Sequence, residues 1–241
     1  MRQTLRSVNL IVGLLLLTGS CLGAEDSPWK RSMEFGYSAS SGNTETVRLS
    51  SKMHISVEIK KYEFSLSGAA HYGKSKGARD LNKGFVQVKF DYLPAGVLSP
   101  FLFGQTEYDQ FKELNWRVYA GVGAKYTFYK TESSDVSISD AVLVEGQKFK
   151  STDSERTFRN SLRFKLKQKI AEESDITFWI FHQPNFEEWE DYRIIADIQL
   201  TTEITELFAL KISFTDSYEN LVPAGTERND TETVASLKLS L

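Results

Sequence analysis

From Thr44 to Lys60 the chain reads TETVRLSSKMHISVEIK. Alternate positions hold Val47, Leu49, Met53, Ile55, Val57 and Ile59, and the positions between them hold Arg48, Lys52, His54, Glu58 and Lys60. Side chains along a strand point to opposite faces in turn, so this pattern predicts a long β-strand with one oily and one wet face. A helix is excluded, because about 3.6 residues per turn would scatter the same residues around the whole cylinder.

Continued from Trp29, the same reading predicts twelve strands, at about 30–40, 44–60, 62–72, 82–92, 100–110, 116–129, 135–145, 157–170, 175–186, 191–204, 207–218 and 230–241. No segment has helical periodicity and no linker divides the chain, so one all-β domain is expected, an up-and-down antiparallel meander. Short connectors such as Lys60-Lys61 and Thr205-Glu206 follow even-numbered strands. Longer ones, Gly73–Leu81, Gly146–Glu155, Pro184–Glu190 and Glu219–Asn229, follow odd-numbered strands; Ser41-Gly42-Asn43 and the turn around Lys112–Asn115 are tight exceptions. Short turns at one rim and longer loops at the other are the habit of bacterial outer-membrane barrels.

Alternation alone does not say which face is inside, since a soluble barrel turns its oily face inward and a membrane barrel turns it outward. Three features favour the membrane barrel. Tyr62 and Tyr72 bracket one strand on its apolar parity, and Phe208 and Tyr218 bracket another, both ten residues apart. At about 3.3 Å per residue and a tilt near 40°, ten residues climb roughly 25 Å, the height between the aromatic girdles of such barrels. Gly68, Ala70, Gly84, Ala120, Ala124 and Ala196 also lie among the oily positions, too small to fill a wide barrel interior but harmless against lipid. Last, Ala235, Leu237, Leu239 and Leu241 share one parity and resemble the terminal-strand signal of outer-membrane assembly, with Leu241 where Phe or Trp is usual.

Composition agrees without deciding. The hydrophobic fraction of 41% and mean hydropathy of -0.33 suit a soluble domain, but half of every strand in a membrane barrel is polar too. The one long apolar run, Leu10–Leu17 behind Arg2 and Arg6, predicts a secretory signal peptide at residues 1–24, with the barrel at 25–241. Cys21 follows Thr-Gly-Ser, a weak likeness to a lipoprotein box; if it leaves with the signal, no thiol remains. Losing Arg2 and Arg6 takes the formal charge from -3 to -5, too mild to suggest a nucleic-acid partner.

Three stretches together resemble the salt-induced outer-membrane protein family, filed as domain of unknown function 481. They are Gly36-Tyr37-Ser38-Ala39-Ser40-Ser41-Gly42-Asn43-Thr44, then Tyr108-Asp109 with Arg117 and Gly121-Val122-Gly123, then Pro223-Ala224-Gly225 with Asp230-Thr231. The resemblance implies an outer-membrane barrel and supplies no activity and no catalytic residues. Asp109 and Arg117 sit across a tight turn on facing strands and are expected to form a lumen ion pair, more plausibly fixing register than holding a ligand.

Candidate chemistry is sparse. His54 and His71 fall on the polar parity of adjacent strands with Ser65 and Ser67, but no nucleophile motif surrounds them. No His, Cys or carboxylate cluster has metal-ligand spacing, so no cofactor or metal is expected. The acidic stretch Glu187-Glu188-Trp189-Glu190-Asp191 could hold a divalent cation, though a solvated loop is the plainer reading.

The sharpest charge pattern is Thr157–Ile170, where Arg159, Arg163, Lys165, Lys167 and Lys169 occupy one parity and Phe158, Asn160, Leu162, Phe164, Leu166, Gln168 and Ile170 the other. With the oily side to lipid, the five cations form a ladder up the lumen wall. They are either neutralised by acids across the lumen, with Glu107, Asp109, Asp197 and Glu203 on offer, or left partly unanswered so that the lumen favours small anions. The expected function is therefore a narrow pore or permeability element for small solutes in the outer membrane. The alternative is a closed structural barrel that supports the envelope under osmotic or salt stress. Expected partners are outer-membrane lipid, lipopolysaccharide and the barrel-assembly machinery.

Overall fold

The computed structural model describes residues 28–40, 46–94, 96–150, 153–222, 225 and 227–241. The expected signal peptide, the Ser41-Gly42-Asn43 turn and Pro223-Ala224 lie outside the described residues. Twelve strands follow one another: β1 (Trp29–Ser40), β2 (Thr46–Ile59), β3 (Tyr62–Ser75), β4 (Ala78–Tyr92), β5 (Leu98–Asp109), β6 (Leu114–Lys130), β7 (Ser134–Phe149), β8 (Glu155–Ala171), β9 (Ser174–Pro184), β10 (Tyr192–Glu203), β11 (Phe208–Glu219) and β12 (Asn229–Ser240). Each pairs antiparallel with its neighbours in sequence, and β12 returns to β1, so the sheet closes into a barrel. Closure pairs the two end strands from Ser32↔Ser240 to Gly36↔Ser236, satisfying N–H and C=O groups that hydrocarbon could not.

The oily parity faces outward. Val122 is 64% exposed, Val88 56% and Ile198 47%, values that belong to a wall solvated by lipid. Tyr62 stacks on Phe90 and Tyr92 at centroid distances of 5.6 and 5.5 Å near the rim that carries the chain ends, called here the terminal rim. At the opposite, loop rim Tyr218 lies 6.0 Å from Tyr192. Tyr72 there sits under the Arg79 guanidinium at 5.5 Å, while Phe208 belongs to the terminal rim. On the outward wall, Asn160 Nδ2 donates to Asp140 Oδ1 at 2.7 Å and to the Ala141 carbonyl at 3.3 Å.

Two connectors expected to be long are short. β3 runs to Ser75 and β4 begins at Ala78, leaving Lys76 and Gly77 in a tight turn with φ of 49° and 77°. β7 likewise continues to Phe149, and β8 starts at Glu155. Charge in these stretches resembles loop, but ladder hydrogen bonds need no oily face once the strands rise past the apolar belt. Arg48 on β2 holds Asp80 on β4 through both guanidinium nitrogens, the Nη2–Oδ2 bond measuring 2.7 Å. It crosses β3 over Gly73, where a Cβ would collide with the arginine side chain.

The interior is not uniformly polar. The register places Phe85, Phe101 and Phe103 inward on β4 and β5, and Trp179, Phe181 and Ile195 inward on β9 and β10. Gly121 and Gly123 on β6 make room for this. A Cβ on Gly121 would stand 2.8 Å from the Phe103 ring, and one on Gly123 2.8 Å from the Phe101 ring, so the aromatic side chains lie against bare backbone.

Candidate functional site: the barrel lumen

Arginine suits a crowded interior because its planar fork can bond several acceptors at once. Toward the loop rim the lumen is crossed by a network centred on Glu145 of β7, which is 1% exposed. Arg193 of β10 donates to Glu145 Oε2, Arg159 Nε of β8 lies 3.3 Å from Oε1, and Arg117 Nε of β6 lies 3.7 Å from Oε1. Arg117 also binds Glu107 at 2.9 Å and the Gln147 side-chain oxygen at 3.0 and 2.9 Å. Its Nη2 reaches Glu219 of β11 at 3.5 Å, and Glu219 in turn holds Lys112, whose ammonium also meets Asp230, both at 2.9 Å.

Several of these contacts join strands that are not neighbours in the sheet. Arg193 to Glu145 is a chord from β10 to β7, Arg117 to Glu219 runs from β6 to β11, and Lys83 to Glu232 runs from β4 to β12 at 2.8 Å. Such chords narrow the passage and brace the wall. A cavity of about 730 Å³ runs along the lumen past this network, lined by Arg117, Arg193 and Glu219 and, further toward the terminal rim, by Arg163, Trp179 and Asp197.

The expected Asp109–Arg117 pair does not form. The regular ladder sets Arg117 opposite Glu107, and a register shift beyond that pair leaves Leu114 opposite Asp109. Asp109 Oδ1 instead accepts the backbone N–H groups of Phe111 and Lys112 at 3.0 and 3.2 Å, closing its own hairpin.

The five-cation ladder divides along its length. Arg159 is answered by Glu145 and by Asp191 at 2.5 Å, and Lys167 by Asp175 at 3.1 Å. Arg163 instead lies over Trp179 and Phe181, 5.8 and 5.0 Å from the ring centroids. Among the described residues, no carboxylate lies within 4.0 Å of Arg163, Lys165 or Lys169, nor of Lys125 on β6. The register brings these cations together, because Ser139 of β7 stands between Lys125 and Arg163, and Ser137 stands beside Lys165.

Glu145, Arg193 and Glu219, the centre of the network, carry no motif in the sequence. The one signal available was their place on the inward parity of their strands.

His54 Nδ1 meets Ser67 Oγ at 2.8 Å, and His71 Nδ1 meets Glu232 at 3.0 Å. The first is a cross-strand pair, since His54 and Ser67 are register partners, and no acid is hydrogen-bonded to His54 among the described residues. Asp191 of the acidic stretch turns inward to Arg159, and among the described residues no three metal-ligating side chains converge.

A family profile described as "Protein of unknown function, DUF481" matches residues 33–240, nearly the whole barrel. The chain belongs to this family. The description of DUF481 assigns no activity and makes no mention of salt induction. No curated protein matches this DUF481 member significantly.

Solved structures show the same architecture. The barrel is similar to the NanC porin, at 10% identity and a TM-score of 0.52 over 88% of this chain and 97% of that one. It is also similar to the KdgM porin in complex with disordered oligogalacturonate, at 11% identity and a TM-score of 0.50 over 87% of this chain and 99% of that one. At such identities the likeness is one of fold.

Proposed function

We propose that this DUF481 barrel is a narrow outer-membrane pore for small anionic solutes, working by selective permeation rather than catalysis. The observation that carries the reading is the cationic wall of Lys125, Arg163 and Lys165, which faces the lumen below the Glu145 network with no ion-pair partner within 4.0 Å among the described residues. In a confined, partly dehydrated passage such charges act at a lower effective dielectric than in water and raise the local concentration of anions. The rings of Trp179 and Phe181 lie against the Arg163 guanidinium without neutralising it. The oily exterior suits outer-membrane lipid, with the terminal rim toward the periplasm and the loop rim toward lipopolysaccharide. Insertion by the barrel-assembly machinery is part of the same reading. The porin fold of the KdgM and NanC structures supports passage of small solutes, and the oligogalacturonate bound by the former is an anionic sugar of the class the basic wall suits.

The test is single-channel recording of residues 25–241 refolded into planar bilayers, with reversal potentials in a salt gradient. Anion preference is expected, and it should fall in Arg163→Gln/Lys165→Gln. Lys167 is a poorer target because Asp175 already answers it. A second reading, a closed bracing barrel, draws on the chords from β10 to β7 and from β6 to β11. No conductance in either protein would reject the pore and leave that one.

A further inference from the structure

The barrel's closing seam is incomplete toward the loop rim. β1 and β12 pair only from Ser32↔Ser240 to Gly36↔Ser236. β1 nevertheless continues beside β2 as far as Ser40↔Thr46, and β12 is paired with β11 from Leu239 back to Asn229. Tyr37–Ser40 and Asn229–Ala235 are therefore strand on both sides of the seam, with no ladder joining them among the described residues. Unpaired ladder groups at lipid depth are costly, so a seam of this kind calls for an occupant or a use.

A cavity of about 780 Å³ occupies this place, and its lining comes from both faces of the wall. Arg48, Leu81 and Lys83 contribute from the lumen side, while Tyr37, Leu49 and Ala235 belong to the outward parity. The space thus passes through the wall rather than ending at it. Its depth follows from the register. Thr231–Ala235 lie opposite Asp216–Ile212 of β11, between the outward aromatic residues Phe208 and Tyr218. Here the outward wall carries small and polar residues, Thr231, Thr233 and Ala235, with Asp216 of β11 opposite Thr231.

We propose that the seam between β1 and β12 is a lateral portal through which an uncharged amphiphile passes between the lumen and the outer leaflet. Tyr37, Leu49 and Ala235 offer contact to an apolar chain, and the hydroxyls of Thr231 and Thr233 offer hydrogen bonds to a polar head. The preference for an uncharged head follows from pairing at the inner end, where Arg48 is held by Asp80, Lys83 by Glu232 and Lys112 by Asp230. An ionic head would have to break one of these pairs. The portal joins the loop-rim half of the lumen, where its cavity shares Lys83, Lys112, Asp230 and Glu232 with the lumen cavity, and it lies away from Lys125 and Lys165.

The test closes the seam reversibly. Continuing the register from Gly36↔Ser236 sets Tyr37 beside Ala235, so Tyr37→Cys/Ala235→Cys, made in a Cys21→Ser background, can be bridged by oxidation in lipid nanodiscs. The probe is a long-chain alcohol carrying a diazirine, with photolabelled residues mapped by mass spectrometry. The reduced protein is expected to be labelled at lumen-side Leu81 and Ser217 as well as at Val122 and Ile198 on the outer wall. Oxidation should abolish the lumen labels and leave the outer ones. Lumen labelling that survives oxidation, or that is missing in both states, overturns the proposal. Should the disulfide fail to form, Ala235→Trp fills the gap from β12 instead, and undiminished lumen labelling in that variant overturns it equally.

Discussion

Replacing Glu145 by Gln removes one negative charge from the midst of three guanidinium groups while keeping the side chain's shape. Glu145 is 1% exposed and lies within 3.3 Å of Arg159 Nε and 3.7 Å of Arg117 Nε, with Arg193 bonded to its other oxygen. At an effective dielectric near 20, one charge pair at about 4 Å is worth about 4 kcal/mol before desolvation is counted. Breaking a buried pair by removing one partner costs about 3–5 kcal/mol, because the remaining charge stays buried and uncompensated. Other acids hold part of the cluster, Glu107 and Glu219 for Arg117 and Asp191 for Arg159. Arg193 has no second carboxylate within 4.0 Å among the described residues, and its Nε is buried without a partner. The expected loss for Glu145→Gln is therefore about 3 kcal/mol, the low end of the range, concentrated on Arg193. Urea unfolding of the refolded barrel in lipid vesicles, followed by tryptophan fluorescence and heat-modifiable gel mobility, measures it. Adding Arg193→Gln should recover at least about 1 kcal/mol, as expected for residues that share one contact. A single-variant loss below about 1 kcal/mol, or strict additivity in the double variant, would refute the central place given to Glu145.

Other outcomes follow from the wall and its closure. Ile198→Arg, set on the outward face, should cost about 2–4 kcal/mol in the same vesicle assay, and inward-facing Thr201→Arg less than about 1 kcal/mol; equal losses would contradict the assignment of faces. Gly121→Val should lose about 1–3 kcal/mol by driving a side chain into Phe103, with partial recovery on adding Phe103→Ala. Asn160→Leu leaves Asp140 without its 2.7 Å donor on the lipid-facing wall and should cost about 1–3 kcal/mol, while Asn160→Gln should lose less. Deleting residues 231–241 removes most of β12 and opens the barrel, so no heat-modifiable folded species should be recovered; a stable soluble fragment would speak for a sandwich.

The sequence by itself determined the strands, their number and which parity is oily, because a period of two is a local property that each segment displays alone. The paired aromatic spacing of Tyr62 with Tyr72 and Phe208 with Tyr218 then determined which way the oily parity faces. The Thr157–Ile170 run placed five cations on the inward face for the same reason, since β8 needs no partner to alternate. Partners across the lumen were a different matter. Asp109 and Arg117 looked matched by proximity in sequence, yet the ladder register sets Arg117 against Glu107, and Asp109 turns to its own hairpin. Arg193 finds Glu145 forty-eight residues away, on a strand three places round the barrel, and only closure brings the two together. The lengths of the turns at Lys76-Gly77 and beyond Phe149 were also decided by pairing, which carries charged strand past the apolar belt. The seam was least legible of all. Each of β1 and β12 alternates normally, and their separation beyond Gly36↔Ser236 depends on how the whole sheet curls back on itself, a property that no single segment encodes.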